Sequence, residues 1–259
     1  MTVIAIICQD LDLGITRFIK SLSRHNIEVR YVLVAPPCEI HPKRQEQMRI
    51  KHDFFQGVDK VKKIAPKRLI VNILNTLQIK KKLVDVFFNF LGLVHGFKVI
   101  NLDERWNTTD KDAFKLISVV YSLEGLLTKE AISRFKNGII NIHPAIIPEY
   151  RGLDAGLWAL LENGPVGVSA YQVDEGIDTG PVIKTYLLEV KEIKDIKTYL
   201  SNLKLLKYKS YANAIQEYGK RNFENPHPEI SFSQNRGVMS LDKLNLLATK
   251  LGNKGESRI

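Results

Sequence analysis

The amino-acid sequence predicts an α/β fold, and three stretches carry the prediction. The first forty residues read as a strand, a loop, a helix and a second strand. After a basic helical stretch the alternation of short apolar strands and helices resumes, and two strand-like segments close it near residue 190. Repeated alternation of this kind belongs to a sheet covered by helices.

Val3 to Ile7 is an apolar, β-branched run, followed by a polar loop from Gln9 to Gly14 and by helical spacing from Ile15 to Leu22. Glu28 to Ala35 supplies the second strand, stopped by Pro36 and Pro37. Residues 42–95 are Lys-rich with apolar residues three or four apart, first Leu69, Ile73 and Leu77, then Leu83, Phe87 and Leu91. That spacing predicts two or three helices inserted in the sheet. Phe97 to Asn101 and Leu116 to Tyr121 read as strands, Lys129 to Phe135 as a short helix, and Gly138 to Ile142 as a strand running into Pro144. Residues 166–174 and 181–190 form a hairpin pattern around EGIDTG, whose glycines suit a tight connection. Beyond it, the pattern predicts a helix over Ile196 to Tyr218, a short strand over Ile230 to Phe232, a helix over Leu241 to Leu251 and a disordered tail over 252–259.

A chain of 259 residues accommodates one large domain, or a domain with a small appendage. With 44% apolar and 25% charged residues it matches ordinary globular composition, which excludes disordered and fibrous classes. There is no apolar run of about 18 residues to span a bilayer, and no small-residue cleavage site follows the apolar start, so Met1 to Ile7 is expected to be a strand and no membrane is expected as a partner. Cys8 and Cys38 are too few and too far apart for a disulfide framework or a metal cluster, and the expected compartment is a reducing cytoplasm. Residues 42–82 hold twelve Lys or Arg against three acidic residues, so most of the net charge of +10 sits there. That segment has no RNA-binding signature and no aromatic interleaving, which argues against nucleic acid. It reads as a solvated basic helical face or as a surface attracting a phosphorylated substrate.

Residues two apart in a strand project to the same side, so Asn141 and His143 face one way at a strand end that Pro144 terminates. Sites in open α/β sheets gather outside the carboxyl ends of strands. Acyl transfer to an amine needs a donor for the developing oxyanion and a base for the amine proton. Asn141 can donate, His143 can take a proton, and Asp178 in the glycine-flanked loop can orient the imidazole and stabilise its charged form. Singly, each has a structural explanation: a strand-end cap, a satisfied histidine, an Asx-turn. Their combination and spacing point to chemistry.

NIHPAIIPEYRG, from Asn141 to Gly152, and VDEGIDTGPVI, from Val173 to Ile183, together resemble the paired Asn-x-His-Pro and Asp-x-Gly signature of the folate-dependent formyltransferases. VVYSLEGLLTKEAI, from Val119 to Ile132, is similar to the strand, loop and helix that line that family's pterin pocket. The resemblance spans about residues 116–190, is faint over the first forty, and is absent from 42–110 and from the last sixty. It implies a Rossmann-like formyltransferase fold: a mixed, mostly parallel sheet in a catalytic domain over 1–190, a helical insertion over about 42–95, and a short C-terminal helical extension and tail over 191–259.

By the same resemblance, Asn141 polarises a formyl carbonyl, His143 transfers protons, and Asp178 assists through the histidine and ordered water. Leu126, Leu127 and Ile177 would bind 10-formyltetrahydrofolate, Arg151 and Tyr150 would approach the amine substrate, and no metal takes part. Ser122 and Glu124 stand where relatives often carry glycine, which implies a narrower folate loop. Tyr171 stands where many relatives place another histidine, so a fourth polar participant is not expected.

Among formyltransferases, the methionyl-tRNA enzymes carry a C-terminal β-barrel, whereas residues 191–259 read as largely helical. Glycinamide ribonucleotide formyltransferases are generally shorter and lack the basic insertion, and formyltetrahydrofolate hydrolases usually begin with a regulatory domain. The expected acceptor is therefore an amine of a nucleotide-linked amino sugar, with a homodimer compatible. The alternatives are those two transferase activities, or a non-catalytic formyltransferase-like binding protein.

Overall fold

The computed structural model describes residues 1–36, 54, 79–123, 125–189, 193, 195–220 and 235–256. Among the described residues seven strands form one sheet in the order β3-β2-β1-β4-β5-β6-β7. β1 (Thr2–Cys8), β2 (Ile27–Val34), β3 (Lys98–Asn101), β4 (Ile117–Ser122) and β5 (Ile139–His143) are parallel. β6 (Gly167–Gln172) runs antiparallel to β5, and β7 (Val182–Leu187) antiparallel to β6. The sheet is mixed and mostly parallel, as the sequence predicts.

β1 sits in the middle, and residues 4–8 are fully buried. Ile4, Ile6 and Cys8 join the apolar cluster on one face, while Ala5 and Ile7 join the cluster on the other. A strand covered on both faces has no polar side, which is why its sequence is a continuous apolar run. Burial also pushes the Cys8 thiol up to about 12, so it stays protonated at neutral pH.

α1 (Leu13–Ser23) begins at Asp12, whose carboxylate accepts the Ile15 N–H at 3.0 Å, and it buries Ile15, Phe18 and Leu22. α2 (Ile79–His95) departs from the predicted stripe. Leu83 and Phe87 are 57% and 45% exposed, Val84 and Phe88 take the core side in their place, and Leu91 packs against the core as the spacing predicts. In a helix this rich in apolar residues, spacing alone does not fix the buried face, and the sheet selects a stripe rotated by one residue. Leu69, Ile73, Leu77, Cys38 and the strand expected over 230–232 lie outside the described residues.

The connection from β6 to β7 is not the tight turn expected. The Val173 N–H bonds the Ile139 carbonyl at 2.8 Å and the Gln172 N–H bonds the Pro181 carbonyl at 3.0 Å, so the residues between form a longer loop. α3 (Lys129–Arg134), capped by Thr128, and α4 (Ala155–Leu161) flank β5 in sequence.

α5 (Ile196–Gly219) lies across β5, β6 and β7, fixed by three tyrosines of its buried side. Tyr199 donates to the Gly156 carbonyl at 2.8 Å, Tyr211 to the Val120 carbonyl, and Tyr218 to the Asn137 carbonyl at 3.1 Å. α6 (Leu241–Glu256) buries Leu244, Leu247 and Leu251 in the same cluster as β1 and α5. It therefore runs through 252–256, where disorder was the expectation, because a buried stripe sets the helix and propagation adds residues cheaply. No helix among the described residues is long and apolar enough to cross a membrane.

Gly180 marks how closely the loop returns to the sheet, since an added Cβ would collide with the Gln172 backbone carbonyl, which has no freedom to move aside. Gly180→Ala is therefore predicted to destabilise the fold by about 1–3 kcal/mol in denaturant titrations. Unchanged stability would contradict this loop path.

Candidate active site

β5 ends in Asn141, Ile142 and His143, and its antiparallel register with β6 sets Asn141 opposite Tyr171. Cross-strand partners touch, and the Asn141 Nδ2 donates to the Tyr171 hydroxyl at 3.1 Å. That hydroxyl donates in turn to Asp178 Oδ1 at 2.8 Å. Asp178 Oδ2 accepts the Gly152 N–H at 2.9 Å and lies 3.2 Å from His143 Nδ1. Four side chains, Asn141, Tyr171, Asp178 and His143, thus form one network.

Local chemistry holds the loop that delivers Asp178. Asp174 Oδ1 accepts the Gly176 N–H at 3.0 Å and the Thr179 hydroxyl at 2.7 Å. Asp178 itself adopts a left-handed backbone with φ 52°, a conformation that Asp tolerates better than most residues and that turns its carboxylate back over the strand end. On the facing loop, Gly152 has φ +87°, and a Cβ there would collide with Asn235 and the Arg236 carbonyl. Glycine lets this backbone come close enough to donate to Asp178.

Burial alone would raise the Asp178 pKa. The hydrogen bond and charge of His143, the Gly152 N–H and the Tyr171 hydroxyl outweigh it and hold the carboxyl below its ordinary value of 3.8. Deep burial and the Asp178 charge push Tyr171 far above its ordinary 10.0, so its proton stays in the network. With Nδ1–H directed at Asp178, the neutral His143 ring carries its lone pair on Nε2. That atom is buried and has no hydrogen-bond partner among the described residues. Leaving such an atom unpaired costs about 1–3 kcal/mol, and its retention marks a place for a reacting group.

Beside the network lies a cavity of about 160 Å³. Its walls are mixed: Val120, Leu123, Leu126, Leu127 and Val173 are apolar, Asn141, Tyr171, Asp178 and Lys207 are polar, and Asp174 to Gly176 also line it. It sits beyond the carboxyl ends of β4 and β5, next to the reversal of strand order between β1 and β4, where α/β sheets open a crevice.

Of the residues that the sequence singles out, Asn141 and Asp178 line the cavity, and so do Leu126, 66% exposed at the rim, and Leu127. His143 is joined to them by hydrogen bonds but is not itself a cavity wall. Ile177 is not a wall either: its carbonyl accepts from Arg151 Nη1 at 3.2 Å, so Arg151 braces the aspartate loop. Tyr150 faces the other way, buried in the core with the Arg236 guanidinium 5.6 Å from its ring centre, and its expected place beside the substrate is not supported. Ser122 closes β4 and its carbonyl accepts the Gln9 N–H at 2.8 Å, while Glu124 lies outside the described residues.

Sequence reasoning discounted Tyr171, which proves to be the link between Asn141 and Asp178. The signal that could have found it is register, since an antiparallel β5 and β6 place it opposite Asn141. Lys207 carried no signal among the several lysines of its helix. Among the described residues no group of three or more His, Cys, Asp or Glu could hold a metal ion.

Because folded Asp178 titrates below its ordinary value, it contributes stability at neutral pH that is lost as pH falls through its folded value. Tyr171→Phe removes one of its donors. The expected result is an upward move of the Asp178 carboxyl titration in NMR and a stability loss of about 1 kcal/mol at neutral pH, smaller in acid. An unmoved Asp178 titration would show that the hydroxyl does not bond the carboxylate.

Residues 103–215 match the family model described as Formyl transferase, a span running from β4 through β7 and most of α5. Phosphoribosylglycinamide formyltransferase of Bacillus subtilis (strain 168) is 32% identical over 93 residues, 36% of this chain and 48% of that protein. Methionyl-tRNA formyltransferase of Thermodesulfovibrio yellowstonii is 30% identical over 90 residues, 34% of this chain and 29% of that protein. The matches thus span about half of the first relative's length and under a third of the second's. In fold, a sugar N-formyltransferase from Shewanella sp FDAARGOS_354 aligns over 97% of this chain and 88% of its own, with a TM-score of 0.56 at 13% identity. The motif that ends β5 and the aspartate loop that folds onto it both lie within residues 103–215, the span that is similar to the formyl transferase family.

Proposed function

We propose that this protein transfers a formyl group from 10-formyltetrahydrofolate to a primary amine of a nucleotide-linked amino sugar. The observation that carries the reading is the hydrogen-bonded set of Asn141, Tyr171, Asp178 and His143, three of whose members line a cavity that also has apolar walls. The net charge of +10 suits an acceptor that bears phosphates. The fold shared with a sugar N-formyltransferase over nearly the whole chain is compatible with that acceptor. A second reading, with phosphoribosylglycinamide as acceptor, has the identity of the Bacillus subtilis relative in its favour.

The residues present fit the folate donor. Leu123, Leu126 and Leu127 offer a flat heteroaromatic ring an apolar wall, the main chain of Asp174 to Gly176 offers its edge polar groups, and the unpaired His143 Nε2 awaits a proton-bearing partner. When bound, 10-formyltetrahydrofolate supplies a formyl group on nitrogen, whose carbonyl carbon is open to an amine.

Asn141 commits one N–H of its amide to Tyr171, and the other remains to meet charge developing on the formyl oxygen. His143 Nε2 accepts a proton from the amine and holds it for the departing nitrogen. Asp178 steadies the imidazolium that forms, and the Gly152 N–H and Tyr171 keep Asp178 ionised and aimed.

The test is incubation with 10-formyltetrahydrofolate and, separately, nucleotide-linked amino sugars, phosphoribosylglycinamide and methionyl-tRNA, read by the mass gain of one formyl group. The expected result is formylation of an amino sugar, lowered about a hundredfold in folded Asn141→Ala and His143→Ala proteins. Turnover that survives His143→Ala would sink the residue roles. Formylation of phosphoribosylglycinamide alone would replace the acceptor.

A further inference from the structure

Lys207 stands where the reaction needs a charge. It lies on α5 one helical turn before Tyr211, whose hydroxyl is anchored on the Val120 carbonyl, and Val120 is itself a wall of the cavity. Four residues apart on a helix, the two share a face, and Lys207 lines the same cavity as Asn141, Tyr171 and Asp178. The residue as a whole is half-buried, and among the described residues no hydrogen bond or ion pair holds its ammonium. The groups around it are Asp178, Asp174 and Glu175 across the cavity, the protonated Tyr171, His143 behind Asp178, and Lys204 on its own helix. Asp178 is already saturated by three donors, so it gives Lys207 a favourable field without capturing it.

On the donor side of the reaction, Asn141 has only one N–H left. We propose that Lys207 is a further catalytic residue, whose ammonium shares with Asn141 the negative charge that develops on the formyl oxygen. The proposal rests on the formyl-transfer reading of this site. In the reaction the amine nitrogen bonds the formyl carbon as the carbonyl π pair moves onto oxygen. The pair returns as the bond from carbon to the donor nitrogen breaks. The amine proton passes to His143 Nε2 and from there to the departing nitrogen. Lys207 keeps its proton throughout, so no further reactant is needed. Enclosure in the cavity pushes its pKa down to about 8, with Lys204 acting the same way and Asp178 opposing, so the ammonium form prevails at neutral pH.

Two readouts test this. In the protein alone, labelled with carbon-13 at lysine, the Cε signal missing from Lys207→Met is expected to titrate near pH 8. Its midpoint should fall in Asp178→Asn, because the neighbouring carboxylate favours the ammonium. A midpoint at the ordinary 10.5, unmoved by Asp178→Asn, would put the amine in bulk water and overturn the proposal. In enzyme shown to transfer formyl, Lys207→Met should lower kcat about a hundredfold while the amine KM and the tetrahydrofolate dissociation constant hold. Lys207→Arg should recover activity and carry the alkaline limb of the rate profile to higher pH. Wild-type kcat in a folded Lys207→Met protein would overturn the role. A wild-type protein that formylates no amine would overturn the functional reading and the role with it, while the titration would still report whether the cation is there.

Discussion

The site depends on one buried carboxylate. The Asp178 side chain is only 13% exposed, and an ion so placed is tolerable only if its oxygens are satisfied. Gly152, Tyr171 and His143 supply the donors, each from a different part of the fold: a loop after β5, the strand β6, and the end of β5 itself. The left-handed backbones at Asp178 and at Gly152, the latter with no room for a Cβ beside Asn235 and the Arg236 carbonyl, let these parts meet. Remove the carboxylate and the imidazole loses its orientation, the tyrosine its acceptor, and the loop its reason to fold over the strand.

From that constraint the remaining architecture follows in order. β5 must end where Asn141 and His143 share a side, and β6 must run antiparallel to bring Tyr171 opposite Asn141. The connection to β7 must be long enough to double back, which is why residues 173–181 form a loop rather than a turn. α5 then lines the cavity through Lys207, its position fixed by tyrosines that donate to main-chain carbonyls of β4, of α4 and of the loop before β5. Hydrogen bonds to backbone set that helix more firmly than its weakly patterned surface would.

Much of this was legible in the sequence because it is local. Continuous apolar runs marked β1 and β4, the N-x-H spacing marked the strand end, and the glycines around Asp178 marked a bent loop. What the sequence concealed depends on contacts between distant segments. Tyr171 reads as a departure from the family pattern until register puts its hydroxyl between Asn141 and Asp178. Tyr150 and Arg151 read as a pair until packing buries the first in the core and bonds the second to the Ile177 carbonyl. The stripe of α2 was misjudged by one residue because the helix is apolar nearly all round, and only packing against the sheet decides between Phe87 and Phe88. Lys207 is indistinguishable from its neighbours until the fold sets it in the cavity wall.

The account requires that Asp178 fix the tautomer of His143, leaving Nε2 free for a proton. Nitrogen-15 NMR of the imidazole, with the His143 signals identified by their absence from His143→Gln, reads this directly. In the neutral ring the account predicts a protonated Nδ1 and an unprotonated Nε2, with that preference lost in Asp178→Asn. A neutral ring protonated at Nε2, or one indifferent to Asp178→Asn, would contradict it.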